Sequence, residues 1–272
     1  MSEASVVERS TQPITLPSLV TDLQHLGLRP GAVLLVHSAM SALGWICGAQ
    51  VAVIEALMQV LTPAGTLVMP THSTDLSDPA HWQHPPVPEA WWETIRATMP
   101  TFDPAKTPSR GVGRIPEAFR SMPGVQRSYH PHLSFAAWGK HAAAITQHHA
   151  LTDPLGDESP LGRIYDLAGE VLLLGVGHGN NTSLHLAERR AFGDYQPCLQ
   201  TGAPLLGPQG RQWVIFTEPD QGGDDFETLG QAYGAASQSQ VVGQVGQAQA
   251  LYMPQREVVD FGVAWLRVNR HL

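Results

Sequence analysis

The chain has 272 residues, 43% hydrophobic and 15% charged, which excludes a disordered segment and allows a sizeable core. Its formal net charge is -8 and it has no Lys/Arg cluster, which argues against a nucleic-acid binder. No apolar run approaches the roughly 20 residues that span a bilayer. The N-terminus lacks a basic stretch followed by an apolar one, so a secretory signal is not expected. Two cysteines, Cys47 and Cys198, are too few for a disulfide framework and point to a reducing, cytoplasmic setting. An acidic chain can steer a cationic substrate, although the same charge also serves solubility alone.

Residues 1–14 read as a flexible arm, with one domain expected over 15–272. Helical spacing over 16–26 stops at Gly27, and 32–37 reads as a buried strand. A helix over 48–61 is stopped by Thr62-Pro63 and followed by a second buried strand over 65–70. The segment 71–110 is rich in Pro and Trp and is expected to be an ordered functional excursion, with a short helix over 89–99. A helix over 113–122, strands over 133–138 and 170–174, and a helix over 181–190 follow. Asn180, Asn181 or Thr182 is its expected N-cap. A strand over 213–217, a helix over 226–235 and a closing helix over 258–272 complete the pattern. This alternation predicts an α/β fold, a single large domain with a central mixed sheet flanked by helices.

Several segments carry chemistry. Gly175-Val-Gly177-His-Gly179-Asn180 follows a strand and precedes a helix, but Asn180 stands where a dinucleotide fingerprint needs Gly or Ala. The glycines instead allow close approach to a ligand or backbone. Arg110-Gly-Val-Gly113 matches only part of the pyrophosphate loop of the GNAT acetyltransferases. Thirteen histidines raise the question of a metal, yet no His-Glu-x-x-His motif or Cys-rich ligand set is present. No Gly-x-Ser-x-Gly elbow marks a serine hydrolase.

His185 falls in the first turns of the 181–190 helix, where the helix dipole disfavours imidazolium. A neutral imidazole suits a general base, and an acceptor on its other nitrogen must orient it. Candidate acceptors are Glu188, one turn on, and Glu218, Asp220, Asp224, Asp225 and Glu227. Position alone is equally compatible with a packed helix histidine. His37 ends the first strand before Ser38-Ala39-Met40-Ser41, and ligands collect outside the carboxyl ends of such strands. A plain turn after a strand accounts for that segment equally well.

LLVHSAMSALGW (34–45), GTLVMPTHS (65–73), PPVPEAWW (85–92), the 102–142 segment with SYHPHLSF, and ESPLGRIYDLAGEVLLLGVGHGNNTSLHLAE (158–188) form an ordered series. Together they resemble the aminoglycoside 3-N-acetyltransferase family, also called the antibiotic N-acetyltransferase family. The resemblance implies an α/β fold distinct from GNAT, with acetyl-CoA as donor. It implies acetylation of the 3-amino group of the deoxystreptamine ring. The histidine of Ser-Leu-His-x-Ala-Glu maps the family's general base onto His185.

The family's CoA-holding loop maps onto His37, Ser38, Ala39, Met40 and Ser41, with Ala39 and Met40 replacing a serine and a leucine. Backbone contacts would survive that change; a contact through the lost serine hydroxyl would not. Thr107, Ser109, Arg110, Gly111, Val112 and Ser159 are further CoA candidates on the same ground. In the expected mechanism His185 deprotonates the acceptor amine, with Glu218 or Asp225 as the favoured carboxylate behind it. His37 or a loop N–H would polarise the thioester oxygen. Asp75, Glu188 and Asp224 would pair with other ammonium groups of the substrate. Two alternatives stand beside this: acyl transfer to a non-antibiotic amine, and a drug-binding protein without catalysis. No membrane or nucleic-acid partner is expected, and the sequence leaves monomer and homodimer open.

Overall fold

The computed structural model describes residues 3–271; Met1, Ser2 and Leu272 lie outside the described residues. α1 (Glu3–Arg9) begins the segment expected as an arm. After it, Ile14 bridges Ile46: Ile14 N–H donates to Trp45 O at 3.0 Å and Cys47 N–H to Ile14 O at 2.9 Å. Residues 3–14 thus carry a helix and a backbone bridge, because Ile14 has an apolar site to fill and is buried.

α2 (Leu16–His25) starts at a capping box in which Thr15 and Ser18 satisfy each other's backbone N–H groups. β1 (Val33–Ser38), α3 (Ala49–Leu61) and β2 (Thr66–Pro70) form a parallel β-α-β unit. The excursion then holds α4 (Trp92–Thr98), followed by α5 (Arg114–Phe119). β3 (Gln126–Arg127) and β4 (Phe135–Gly139) run antiparallel. α6 (Ala142–Thr146) and α7 (Pro160–Asp166) lead to β5 (Glu170–Leu174), which returns parallel to β1 on the side away from β2.

α8 (Ser183–Phe192) follows the Gly-rich turn. β6 (Cys198–Gly207) and β7 (Gly210–Pro219) form a separate two-stranded sheet. α9 (Phe226–Ala236), the hairpin of β8 (Val241–Val245) and β9 (Ala248–Pro254), and α10 (Gln255–Asn269) close the chain.

The main sheet has seven strands in the order β3-β4-β2-β1-β5-β9-β8, with β1, β2 and β5 parallel and the rest antiparallel. This is the mixed sheet flanked by helices that the sequence predicts. Alternate residues of β1 feed two cores. Leu34 and Val36 pack towards α2 and α3, and Val33 and Leu35 towards α7 and α10. Both faces are covered, so the central strands read as continuous apolar runs rather than alternating ones.

Residues 38–48, after β1, are held from outside. Arg9 Nη2 donates to Ser41 O at 3.3 Å, Trp45 N–H to Ser10 Oγ at 2.9 Å, and Gln247 N–H to Leu43 O at 2.9 Å. Gln247 belongs to the two-residue turn of the β8–β9 hairpin, where Gly246 adopts φ +59°.

Candidate active site

β1 is flanked by β2 on one side and β5 on the other, both parallel, so the loops leaving β1 and β5 diverge. That divergence opens a crevice at the carboxyl ends of the strands, the usual place for a ligand in an α/β sheet. A cavity of about 550 Å³ fills it. Its wall is built from 37–41 at the end of β1 and just after it, 111–114 before and in α5, and 176 and 179–182 after β5, with Pro70, His72, Pro116, His185 and Phe226. The Gly-rich turn is held by Glu227, whose Oε2 accepts from Gly179 N–H at 3.0 Å. It is also seated by Gly230 in α9, where a Cβ would lie 2.0 Å from the His178 ring.

His185 is the third residue of α8. Asn181 caps the start of this helix, its Oδ1 accepting from Ser183 N–H at 3.1 Å. The His185 ring stands edge-on to Phe226, centroids 4.8 Å apart. Its Nδ1 lies 3.1 Å from Glu188 Oε2, and Glu188 is 2% exposed. The other oxygen, Glu188 Oε1, accepts from Arg270 Nη1. A carboxylate paired with a guanidinium is ionised and can only accept, so Nδ1 of His185 carries the proton. His185 itself lines the cavity.

His37 Nε2 lies 3.2 Å from Thr182 Oγ1, at the start of the same helix. Burial, followed by the neighbouring His185, pushes its pKa down to about 3. His72 is likewise held at about 3, by burial and then by His37 and His185. The site therefore keeps these imidazoles neutral at working pH, and a developing positive charge has Glu188 as its buried counter-charge.

The structure gathers His37, Ser38, Ala39, Met40, Ser41, Gly111, Val112 and His185 around one cavity. It separates the rest. Glu218, expected behind His185, faces His132 instead, with Nδ1 at 3.3 Å from Glu218 Oε1. Asp225, the other expectation, chelates Arg270 through Nε at 2.8 Å and through Nη2. Glu188, expected to touch substrate, takes the place behind the ring. Asp75 pairs with Arg110 beside a second hollow lined by Trp82, His84 and Pro85, and Asp224 is exposed on the turn before α9.

Thr107 Oγ1 accepts from Asp103 N–H at 3.0 Å, and Ser109 binds Glu117 Oε2 through N–H at 2.7 Å and Oγ at 2.6 Å. Ser159 is fully buried as the N-cap of α7, its Oγ accepting from Leu161 N–H at 3.1 Å and donating to Gly156 O at 2.6 Å. These three side chains are committed to local backbone and neighbours away from the cavity. Ser159→Ala is expected to lower stability by about 1 kcal/mol, as lost caps do, and to leave the KM for acetyl-CoA unchanged. Urea unfolding and steady-state kinetics check this, and a raised KM would contradict it.

The cavity wall also holds His72, Arg114 and Phe226, which no sequence pattern singles out, and Asn181 and Thr182, which the sequence marks only as helix caps. Asn181 and Thr182 had a signal, since both stand at the helix start that presents His185. His72 lies in the quoted GTLVMPTHS segment, two residues past a strand end. Among the described residues, no group of three His, Cys, Asp or Glu could hold a metal ion, and no helix is long and apolar enough to cross a membrane.

A histidine backed by a buried carboxylate, facing a crevice between diverging parallel strands, is an arrangement suited to a group-transfer enzyme. A family model described as Aminoglycoside 3-N-acetyltransferase matches residues 35–267, and the chain belongs to this acyltransferase family, which uses acetyl-CoA. The chain is 45% identical over 265 residues to the SPbeta prophage-derived aminoglycoside N(3')-acetyltransferase-like protein YokD of Bacillus subtilis (strain 168), covering 97% of this chain and 96% of that one. The crystal structure of YokD superposes with a TM-score of 0.95 at 43% identity, over 99% of this chain and 100% of that one. Aminoglycoside N(3)-acetyltransferase VII of Streptomyces paromomycinus is 36% identical, covering 98% of this chain and 96% of its own. The structure described as AAC-IIIb binary with CoASH has a TM-score of 0.83 at 30% identity, covering 94% of this chain and 97% of that one.

Proposed function

We propose that this chain transfers the acetyl group of acetyl-CoA to the 3-amino group of an aminoglycoside's deoxystreptamine ring, with His185 as general base. The observation that carries this reading is the His185–Glu188 pair on the wall of the cavity. A base must be neutral, oriented and within reach of the reacting proton. Glu188 fixes the tautomer that leaves Nε2 able to accept.

The crevice suits a CoA thioester. Ser38 Oγ and Asn181 Nδ2 are buried without partners, and both residues line the cavity. Buried donors of this kind gain from a carbonyl placed against them. Arg114, at the start of α5 on the same wall, offers positive charge to phosphate. The structure of AAC-IIIb with CoASH supports the same donor. Cytoplasm, where acetyl-CoA is available, is the setting this reaction calls for.

In the reaction, the amine lone pair attacks the thioester carbonyl carbon while His185 Nε2 takes the amine proton. The C–S bond then breaks and the departing thiolate receives a proton from the imidazolium. The products are an amide and free CoA, and His185 is again neutral. Glu188 stabilises the imidazolium in between, and Ser38, Asn181 and the α8 N-terminus stand ready for the charge that develops on the carbonyl oxygen. Asp75 and Asp224 are the acidic residues offered to the remaining ammonium groups.

The test mixes the protein with acetyl-CoA and a panel of aminoglycosides and simpler amines, follows free thiol, and weighs the products. A gain of one acetyl group on the 3-amino position is the expected result. Thiol release only with simpler amines would assign a different acceptor. Drug binding without thiol release would remove the enzymatic reading.

A further inference from the structure

The base does not stop at Glu188. Arg270 follows the last turn of α10, just past the 35–267 segment that defines the family. It spends each of its three nitrogens on a carboxylate next to the reaction centre. Nη1 donates to Glu188 Oε1, Nε donates to Asp225 Oδ2 at 2.8 Å, and Nη2 donates to Asp225 Oδ1. The guanidinium lies 5.7 Å from the Phe226 ring centre and 6.0 Å from that of Phe192. Phe226 is the ring that packs against His185.

The turn before α9 closes over this arrangement without a side chain. A Cβ on Gly222 would lie 2.7 Å from Glu188 Oε1 and 3.0 Å from Arg270 Nη1. An interior carboxylate with one imidazole partner would be poorly satisfied, because its second oxygen has no donor and its charge no counter-charge. Arg270 supplies both.

We infer that Arg270 is a positioning residue for catalysis: from the C-terminal end of the last helix it holds Glu188 ionised and in the rotamer that orients His185, with Asp225 as its anchor. The inference rests on the reading of His185 as the base. Arg270 touches neither donor nor acceptor on this account and acts only through Glu188.

The charged and titratable groups around the pair are Arg270 beyond α10, Asp225 before α9, His37 in β1 and His72 after β2. The two histidines are held at about 3 and stay neutral over the working range. Removing the Arg270 guanidinium leaves Glu188 Oε1 without its donor and the buried carboxylate without its counter-charge.

The experiment compares wild type, Arg270→Gln, Arg270→Lys, Asp225→Asn and His185→Ala as full-length proteins, each checked for folding by circular dichroism and thermal melting. For Arg270→Gln, kcat is expected to fall about 10²-fold through misplacement of the base, with the KM for acetyl-CoA unchanged. Arg270→Lys keeps the charge but cannot span both carboxylates, so its kcat should be intermediate, again with the KM for acetyl-CoA unchanged. Asp225→Asn loosens the anchor and should lower kcat.

Wild-type kcat in Arg270→Gln, or a loss there matched by a raised KM for acetyl-CoA, overturns the inference. Should Arg270→Gln fail to fold, Arg270→Lys and Asp225→Asn decide, and wild-type kcat in both overturns it. His185→Ala separates the two readings. Full turnover there removes the base itself, whereas loss there with an unaffected Arg270→Gln removes only the role of Arg270.

Discussion

His185→Ala is expected to lower kcat about 10²–10⁴-fold, the usual loss when a positioned base is removed. That is about 3–5 kcal/mol of barrier. The amine that attacks the thioester must shed a proton, and Nε2 of His185 is the acceptor that Glu188 holds in the right tautomer. Alanine removes the acceptor and leaves Glu188 to Arg270, a pairing already present, so the fold keeps its buried charge balanced. The residues offered to CoA, Ser38, Asn181 and Arg114, are untouched by the substitution. The Kd for CoA should therefore stay at its wild-type value. Stopped-flow or steady-state thiol release gives the first number and calorimetric titration of CoA the second. A variant within about threefold of wild-type kcat would remove His185 from the base role, since a base contributes at least about 10²-fold.

Acidification below about pH 6.5 should destabilise this protein steeply. Burial, followed by neighbouring charges, holds His37 and His72 at about 3 and His130 well below the usual imidazole range. Burial, aided by the Arg163 charge, lowers His149 to about 4 against an opposing hydrogen bond to Pro154 O. In the unfolded chain each returns to about 6.5. The unfolded state thus binds more protons between those limits, and stability rises with pH across that window.

Read downward, the contribution of these residues is complete above about pH 6.5 and drains away towards pH 3–4. Each group can contribute a slope of up to about 1.4 kcal/mol per pH unit. Four together approach about 5 kcal/mol per unit, against a typical total stability of about 5–15 kcal/mol. Their bonding explains why they cannot accept protons cheaply. His130 Nδ1 already accepts from His132 N–H at 3.2 Å and Leu133 N–H at 3.0 Å, and His149 sits between Ser128 Oγ at 2.9 Å and Pro154 O at 2.7 Å. Urea midpoints at pH 7.5, 6.0 and 5.0 should fall steeply. A midpoint unchanged from pH 7.5 to 5.0 would contradict the neutral, buried state of these rings.

The parts of the fold legible in the sequence are those with a strong local period. β1, β2, β5, α3 and α9 stand within a residue or two of where apolar runs and helical spacing place them. β6 is not legible because Gly202 and Pro204 interrupt it, and Gly202 is there to admit the Trp213 ring, 2.5 Å from where its Cβ would be. The β8–β9 hairpin had a readable turn, Gly246-Gln247 between two Val- and Ala-rich stretches, whose mixed polarity hid the alternation.

The site divides in the same way. His37 and His185 were found because each ends or begins an element, and the parallel pairing of β1 with β5 brings them together. The partner of His185 was already in the helix at the i,i+3 spacing that makes side chains neighbours. Glu218 and Asp225 looked equally able to serve. What assigns them elsewhere is His132, 86 residues from Glu218, and Arg270, 45 residues from Asp225. Competition between distant partners leaves no mark on local pattern.

The fastening of residues 38–48 from behind has an evolutionary reading. Arg9, Ser10, Ile14 and Gln247 grip the loop that forms one lip of the crevice, yet none of them lines it. Drift at such peripheral positions can widen or tighten the mouth by small steps while every lining residue stays in place. Selection for a new acceptor thus has a graded route through the rim, open before any change in the machinery at the centre is tolerated.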